Sequence, residues 1–320
     1  MADPILRSER LHPEARAILE KLDAEGAPPV ETQDPVKVRP ARVERAKLVG
    51  GAAILLARVE DLAIPTPDGP IPIRIYASEP GGVRPALVYF HGGGFVFGNL
   101  ETHDTICRAL AHESGAVVIS VDYRLAPEHK FPAAVEDAHA ATLWVTANAP
   151  RLGLDPRRIA IGGDSAGANL ATVVAIRCRD AGGPPLSAQV LLYPVTDSSS
   201  LDKGSYLEFA QGYGLTRAAM DWFGGHYLAS AEDASNPEAS PLLAQNLASL
   251  PPALVITAEF DPLRDEGEAY AERLRQAGVT VTFERYAGMI HGFVAMRGVL
   301  SDGDRAIRHT AEFMRGIEPR

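Results

Sequence analysis

The chain has 320 residues, of which 46% are hydrophobic and 22% are charged. This length and composition allow one large α/β domain with an elaboration, or two domains, and they exclude a disordered chain. The formal net charge of -10 disfavours nucleic acid or an anionic membrane as the main partner, because both require a basic face. We therefore expect a small-molecule partner.

Targeting and cofactor signals are missing from the sequence. Residues 1–10 contain no apolar core followed by a small-residue cleavage site, and no window approaches the ~18 apolar residues of a membrane span. Cys107 and Cys178 are too few and too far apart for a disulfide framework or a zinc site, so we expect buried thiols. Neither a phosphate-binding P-loop nor a dinucleotide glycine fingerprint is present. We expect a cytoplasmic protein with no membrane span, no metal and no cofactor.

The first predicted element is a helical arm. Residues 11–24 place apolar side chains at helical spacing, and a Pro-rich, charged stretch follows over 27–45. We therefore predict an N-terminal arm over 1–45, which would form part of a cap, and a catalytic domain over 46–320.

From residue 58 the pattern changes to strands, and then to strands that alternate with helices. The predicted strands are 59–64, 71–76, 86–90, 116–121, 159–161, 188–193, 253–257 and 279–286, and the predicted helices are 133–147, 166–179 and 265–277. This alternation is typical of βα units around a mostly parallel sheet, here of eight strands flanked by helices. Between Pro194 and Pro251 the periodicity is lost, so we predict an insertion at about 197–240 that lies over the strand ends.

The sequence Gly163-Asp164-Ser165-Ala166-Gly167 follows a predicted strand and opens a predicted helix. Gly-x-Ser-x-Gly suits a strained strand-to-helix turn that exposes a serine hydroxyl, because the glycines let the backbone approach closely. The pentapeptide alone is a weak signal, and the strand and helix around it make Ser165 the candidate nucleophile. Asp164 either braces this turn or is a solvated loop carboxylate.

A second motif, His91-Gly92-Gly93-Gly94-Phe95, follows the strand 86–90. The oxyanion of a tetrahedral intermediate requires hydrogen-bond donors that are fixed in advance, and backbone N–H groups in a glycine-rich loop can supply them. Gly93 and Gly94, with Ala166 after the serine, are the candidate donors. Without the serine turn, three consecutive glycines would indicate only a flexible loop.

A serine hydroxyl needs a base, and the base needs an acid that holds it in one tautomer. His291 is the candidate base because it directly follows the last predicted strand and comes after every plausible acid. The other histidines fit this chain order less well: His12, His103, His112, His129, His139, His226 and His309.

Asp261 is the candidate acid, because it follows the strand 253–257 and strand-end loops are where such a carboxylate belongs. Glu259 and Asp265 are nearby rivals, and Asp197 is a more distant one. The simplest structural alternative is a helix cap, which describes Asp265 best.

Together these residues resemble the hormone-sensitive-lipase family of α/β-hydrolases, and within it the bacterial esterases with a Gly-Asp-Ser-Ala-Gly turn. The resemblance extends over about 60–315 and rests on the motifs at 91–94, 122–128, 131–134, 163–167, 261–267 and 291–293. It implies an α/β-hydrolase fold with a helical cap and a carboxylesterase that hydrolyses short- to medium-chain acyl esters. It also implies Ser165 as nucleophile, Asp261 as acid, His291 as base, and Gly93, Gly94 and Ala166 as oxyanion donors.

The same resemblance implies that the cap lines the acyl pocket. The candidate lining residues are Phe95, Phe209, Tyr213, Leu215 and Trp222, with Met220, Phe223 and Tyr227 as further candidates. The alternative is that most of them form the core of the cap itself.

Two other residue assignments and two other functions follow from the resemblance. His91 is expected to brace its loop, and residues 122–124 are expected to form a structural network. A non-catalytic small-molecule receptor on the same scaffold is the alternative from another class, and amidase, peptidase or lipase activity could use the same triad. A homodimer is an expectation for the assembly.

Overall fold

The computed structural model describes residues 7–202 and 204–319, and eight strands in them form one sheet. The strands are β1 (Arg58–Ile64), β2 (Ile71–Ala77), β3 (Arg84–Phe90), β4 (Val117–Val121), β5 (Leu154–Asp164), β6 (Gln189–Leu192), β7 (Ala253–Phe260) and β8 (Val281–Ile290). Their order is β1-β2-β4-β3-β5-β6-β7-β8. β2 pairs antiparallel with both β1 and β4, and all other neighbours are parallel.

Ten helices lie in the described part of the chain. They are α1 (Pro13–Glu25), α2 (Pro35–Val49), α3 (Asp104–Ser114), α4 (Ala133–Ala147), α5 (Ala149–Leu152), α6 (Ala166–Asp180), α7 (Gly204–Glu208), α8 (Arg217–Tyr227), α9 (Arg264–Gln276) and α10 (Ser301–Arg315). Three short 3-10 turns lie at Val30–Thr32, Glu232–Ser235 and Pro241–Leu243. None of the described helices has both the length and the apolar character needed to cross a membrane.

Helices cover both faces of the sheet, and the strand sequences reflect this. Along β3, Ala86, Val88 and Phe90 join the core under α4, α6 and α9, whereas Leu87 and Tyr89 join the core under α1, α3 and α10. Successive side chains of a strand point to opposite faces, so a strand buried on both sides is apolar along its whole length. This is why the central strands could be predicted as short apolar runs.

The predicted fold class is confirmed, and the eight predicted strands all overlap observed ones. Several strands extend beyond their predicted bounds, and the largest extensions include that of β5, which begins at Leu154, and that of β8, which continues to Ile290. The Pro-rich, charged stretch over 27–45 contains most of the helix α2, and residue 45, the predicted end of the arm, lies inside this helix.

The elements before β1 and between β6 and β7 contact the loops that follow strands. The N–H of His12, just before α1, donates to the carbonyl of Gly288 near the end of β8. Arg39 of α2 donates to the carbonyl of Val96 in the loop after β3. In the segment between β6 and β7, the N–H of Ser205 in α7 donates to Asp265, shortly after β7. These contacts bring α1, α2 and α7 to the carboxyl ends of the parallel strands.

Candidate active site

Ser165 occupies a tight turn between β5 and α6. β5 ends at Asp164 and α6 begins at Ala166, so the serine is the single residue between them. Its backbone has φ 54° and ψ -119°, a strained conformation that a residue with a side chain rarely adopts. The turn therefore matches the strand-turn-helix geometry that the motif predicts.

The flanking glycines are required by close packing of the backbone. A Cβ added to Gly163 or to Gly167 would collide with the carbonyl oxygen of Phe90, the last residue of β3. No side chain fits at either position, because a backbone group rather than a flexible side chain fills the space. The same close approach brings the serine turn next to the glycine loop that begins at His91.

The structure brings Ser165, His291 and Asp261 together. His291 directly follows β8, and its Nε2 lies 3.0 Å from Ser165 Oγ. Its Nδ1 lies 2.7 Å from Oδ2 of Asp261, which is completely buried. The other carboxylate oxygen of Asp261 accepts the N–H of Leu263 at 2.9 Å. With Nδ1–H donated to the carboxylate, Nε2 is left to accept the serine proton.

The rival carboxylates have other partners. Glu259 accepts the N–H of Gly288, and Asp265 accepts the N–H of Ser205. Asp197 accepts the N–H of Ser199 at 2.9 Å. The imidazole of His291 hydrogen-bonds to the carboxylate of Asp261.

Tyr193 is a neighbour of the imidazole that the sequence analysis missed. Its ring meets the ring of His291 edge to face, with the ring centres 4.9 Å apart, and it also packs against Phe293. Its backbone has φ 37°, which is unusual for a bulky residue. Its position just beyond the end of β6 was the signal available in the sequence.

The glycine loop and the serine turn are joined through Asp164. The Asp164 side chain accepts the N–H of Gly92 at 2.9 Å and the hydroxyl of Tyr89 at 2.8 Å, and His103 Nε2 lies 3.2 Å away. Burial would raise the pKa of Asp164, but the charge of His103 and these hydrogen bonds outweigh it and lower the pKa. Asp164 is therefore a buried brace and not a solvated loop carboxylate.

The backbone of the glycine loop has the geometry that glycine permits. Gly93 has φ 120° and Gly94 has φ 61°. A Cβ on Gly93 would lie 2.5 Å from the carbonyl oxygen of Phe97. Ala166 is the first residue of α6, where a helix leaves its N–H groups without partners inside the helix.

His91 fixes the start of the glycine loop through buried contacts. It is fully buried, its Nδ1 donates to the carbonyl of Gly92 at 2.9 Å, and its ring stacks on Tyr123. The hydroxyl of Tyr123 donates to the carbonyl of His91 at 2.7 Å. Burial lowers the pKa of His91 to about 3, so the ring is neutral and serves as a structural donor.

Of the predicted lining residues, two lie beside the glycine loop. Phe95 belongs to the loop and stacks on Tyr227 of α8, with ring centres 3.7 Å apart. Trp222 of α8 packs against Phe97 and Phe223. The ring of Phe223 covers Gly94 so closely that a Cβ there would collide with it.

The other three predicted lining residues pack in apolar clusters. Phe209 and Tyr213 both contact the ring of Phe260 at the end of β7, with ring centres 5.5 and 5.1 Å away. Leu215 packs in a small cluster that contains Val195 and Leu263. These contacts favour the alternative of a core role for Phe209 and Tyr213.

Comparison with known proteins identifies the class to which this fold and site belong. A family profile described as alpha/beta hydrolase fold matches residues 87–295, and the chain belongs to this family.

Across the described part of the chain, no three His, Cys, Asp or Glu side chains are grouped as metal ligands would be.

Individual relatives are named as esterases. The chain is 48% identical to the carboxylic ester hydrolase LipN of Mycobacterium tuberculosis, over 74% of this chain and 64% of LipN. It is 37% identical to the ethyl acetate hydrolase of Pseudomonas putida, over 93% of this chain and 96% of that protein. A solved structure, the hyperthermophilic esterase of the archaeon Pyrobaculum calidifontis, has 47% identity and a TM-score of 0.91, and the match covers 95% of this chain and 98% of that one. The matches confirm the family resemblance inferred from the sequence.

Proposed function

We propose that this chain is a serine carboxylesterase in which Ser165 is the nucleophile, His291 the general base and Asp261 the acid that orients it. The observation that carries the proposal is the unbroken chain of contacts from Ser165 Oγ to His291 Nε2, and from His291 Nδ1 to Asp261. A hydroxyl, a base and an orienting carboxylate at these distances are the requirements for an activated serine. The names of the relatives support ester hydrolysis as the reaction.

The geometry supports a two-step mechanism. His291 takes the proton of Ser165 as Oγ attacks the ester carbonyl, and the same proton then goes to the departing alcohol. His291 next deprotonates a water molecule, which attacks the acyl-enzyme carbonyl. The bond to Ser165 Oγ then breaks, His291 returns the proton to Oγ, and the carboxylic acid is released. The N–H groups of Gly93, Gly94 and Ala166 are proposed to stabilise the oxyanion in both steps.

The substrate is proposed to be an ester with a short or medium acyl chain. Phe95, Trp222 and Phe223 place aromatic rings against the glycine loop, so the surroundings of the proposed oxyanion donors are apolar. The Pseudomonas relative is named for ethyl acetate, whose acyl group is short.

The test is release of p-nitrophenol from its acetate and butyrate esters at neutral pH with a chelator present. We expect turnover by the wild type, and a loss of roughly 10⁶ in kcat for Ser165→Ala. Ser230→Ala, at an exposed position, is the matched control and should retain wild-type activity. A folded wild-type protein that is inert would contradict the proposal and favour the receptor alternative.

A further inference from the structure

β8 has a bulge just before His291. Ala258 of β7 pairs with Tyr286, and Phe260 pairs with Ile290. Between these pairs β7 has only Glu259, whereas β8 has three residues, with Gly288 at their centre. Such a bulge interrupts the hydrogen-bond ladder and leaves backbone groups that need other partners.

The side chain of Glu259 supplies one of these partners. Its Oε2 accepts the N–H of Gly288 at 2.8 Å, and its Oε1 lies 3.0 Å from a guanidinium nitrogen of Arg10. The Glu259 side chain is 13% exposed, but that of Arg10 is 70% exposed. A carboxylate that accepts a backbone N–H makes a strong hydrogen bond, whereas an exposed ion pair contributes little.

The opposite side of Gly288 contacts the segment before α1. The carbonyl of Gly288 accepts the N–H of His12 at 3.0 Å. Gly288 has φ 74°, and a Cβ there would lie 2.9 Å from the nitrogen of His12. The bulge is therefore fixed between Glu259 and the N-terminal segment, three residues before His291.

We propose that Glu259 is a positioning residue for His291, acting through the backbone of Gly288. This inference rests on the proposed role of His291 as the base. His291 must keep its hydrogen bonds of 3.0 Å to Ser165 and 2.7 Å to Asp261, and a misplacement of about 1 Å can cost roughly 10² in rate. Without the carboxylate, the N–H of Gly288 loses its acceptor and the bulge can relax.

Three substitutions of Glu259 separate the effect of its side-chain length from the effect of its charge. Glu259→Gln keeps an oxygen at the same distance and loses the charge, Glu259→Asp keeps the charge and loses the reach, and Glu259→Ala loses both. We expect the Gln variant to retain a third or more of the wild-type kcat. The Asp and Ala variants should lose roughly tenfold to a hundredfold in kcat, with KM changed by less than about twofold.

The matched control is Glu268→Ala. Glu268 forms an ion pair with Arg285 of β8, which still pairs in regular register with Thr257 before the bulge begins, so its loss should leave kcat unchanged. If Glu259→Ala does not fold, the proposal is tested by comparing kcat of Glu259→Gln with kcat of Glu259→Asp. An Asp variant as active as the Gln variant, or more active, overturns the proposal, as does full activity in all three.

A second readout does not depend on turnover. The proton on His291 Nδ1, donated to Asp261, should give a low-field NMR resonance in the wild type, and this resonance should shift or broaden in Glu259→Asp but persist in Glu259→Gln. If the wild type proves inert towards esters, the proposed function fails, and this resonance still decides whether Glu259 positions His291. A resonance that is the same in all variants overturns the proposal.

Discussion

Glu259 and Asp261 are two carboxylates that lie two positions apart and hold different ends of the same segment. Asp261 is the first residue beyond β7 and binds the His291 ring, while Glu259 is still within the strand and binds Gly288. Near a strand end, sequence spacing alone does not distinguish between such neighbours. The structure separates them by the groups they contact.

We expect Asp261→Asn to lower kcat by about 10⁴, because the same substitution of the triad aspartate in a serine protease has an effect of this size. The amide presents an N–H to His291 Nδ1 as readily as an oxygen, so it favours the wrong tautomer. Steady-state kinetics on a p-nitrophenyl ester would measure the effect. Asp265→Asn, four residues on, is the control, and a loss of only a few-fold in Asp261→Asn would transfer the role of acid to another carboxylate.

The sequence could indicate the residues that the structure brings together at the candidate site, because their signals are local. Ser165 lies in a strand-turn-helix motif, and His291 directly follows a strand. Tyr193 and Glu259 were not assigned these roles, because their contacts depend on a strand order and a bulge that leave no periodic trace in the sequence. The packing of Tyr213 on Phe260 is likewise a long-range contact.

At the scale of elements, α2 is a helix that the apolar pattern of the sequence does not predict. None of its residues is buried, so it has no apolar periodicity, and Pro40 lies inside it. The only indications of this helix in the sequence lie at its N-terminus. Asp34 accepts two backbone N–H groups at 3.0 Å, and Pro35 occupies the first helical turn. Polar contacts dock this helix, together with the partly buried side chain of Val38, which packs against the core.

Arg39 makes most of these contacts. Its guanidinium donates to the carbonyls of Val96 at 2.9 Å and Ala126 at 2.8 Å, and forms two hydrogen bonds with Glu128. We expect Arg39→Gln to lower the free energy of unfolding by about 1–3 kcal/mol, because two carbonyls lose a charged donor.

Urea denaturation of Arg39→Gln beside Arg45→Gln tests this prediction. Arg45 is on the same helix, and its closest approach to Glu25 is 3.9 Å, so its loss should change the free energy of unfolding by less than about 0.5 kcal/mol. Equal stability of the two variants would show that α2 is not docked through Arg39.

At the scale of the whole molecule, the folded chain encloses an acid that the proposed mechanism does not use. Glu266 of α9 is 3% exposed, and its Oε1 accepts the N–H of Thr196 at 2.7 Å. Burial raises the pKa of Glu266 to about 8, with a further contribution from the charge of Asp197 and against the lowering effect of the backbone hydrogen bonds. The folded state thus keeps a proton that the unfolded chain releases at much lower pH.

This raised pKa predicts a loss of stability as the pH rises. The contribution of the protonated Glu266 is complete below its ordinary pKa of 4.5 and is lost as the pH rises to about 8. Glu266→Gln does not titrate. We therefore expect the stability of the wild type relative to Glu266→Gln to fall between pH 5 and pH 8, by up to about 1.4 kcal/mol per pH unit.

Urea denaturation at pH 5, 6.5 and 8 would measure the difference, with Glu272→Gln on the exposed side of α9 as the control. A difference between wild type and Glu266→Gln that does not change with pH would contradict the prediction.

The fold as a whole could be predicted further than its assembly. Apolar runs such as the fully buried β4 predicted the strands, and their alternation with helices predicted the parallel sheet. Strand order and the docking of α2 could not be predicted, because both depend on contacts between distant segments. The homodimer and the cytoplasmic location stay predictions.

The separation of Ser165 from His291 along the chain also has a consequence during translation. The serine turn precedes its partner by 126 residues, and the ribosome needs roughly 6 to 25 s to add them at ~5–20 residues per second. Throughout that interval the nascent chain carries the hydroxyl without an imidazole to activate it. Under the proposed mechanism, hydrolysis therefore begins only after β8 and His291 have been synthesised.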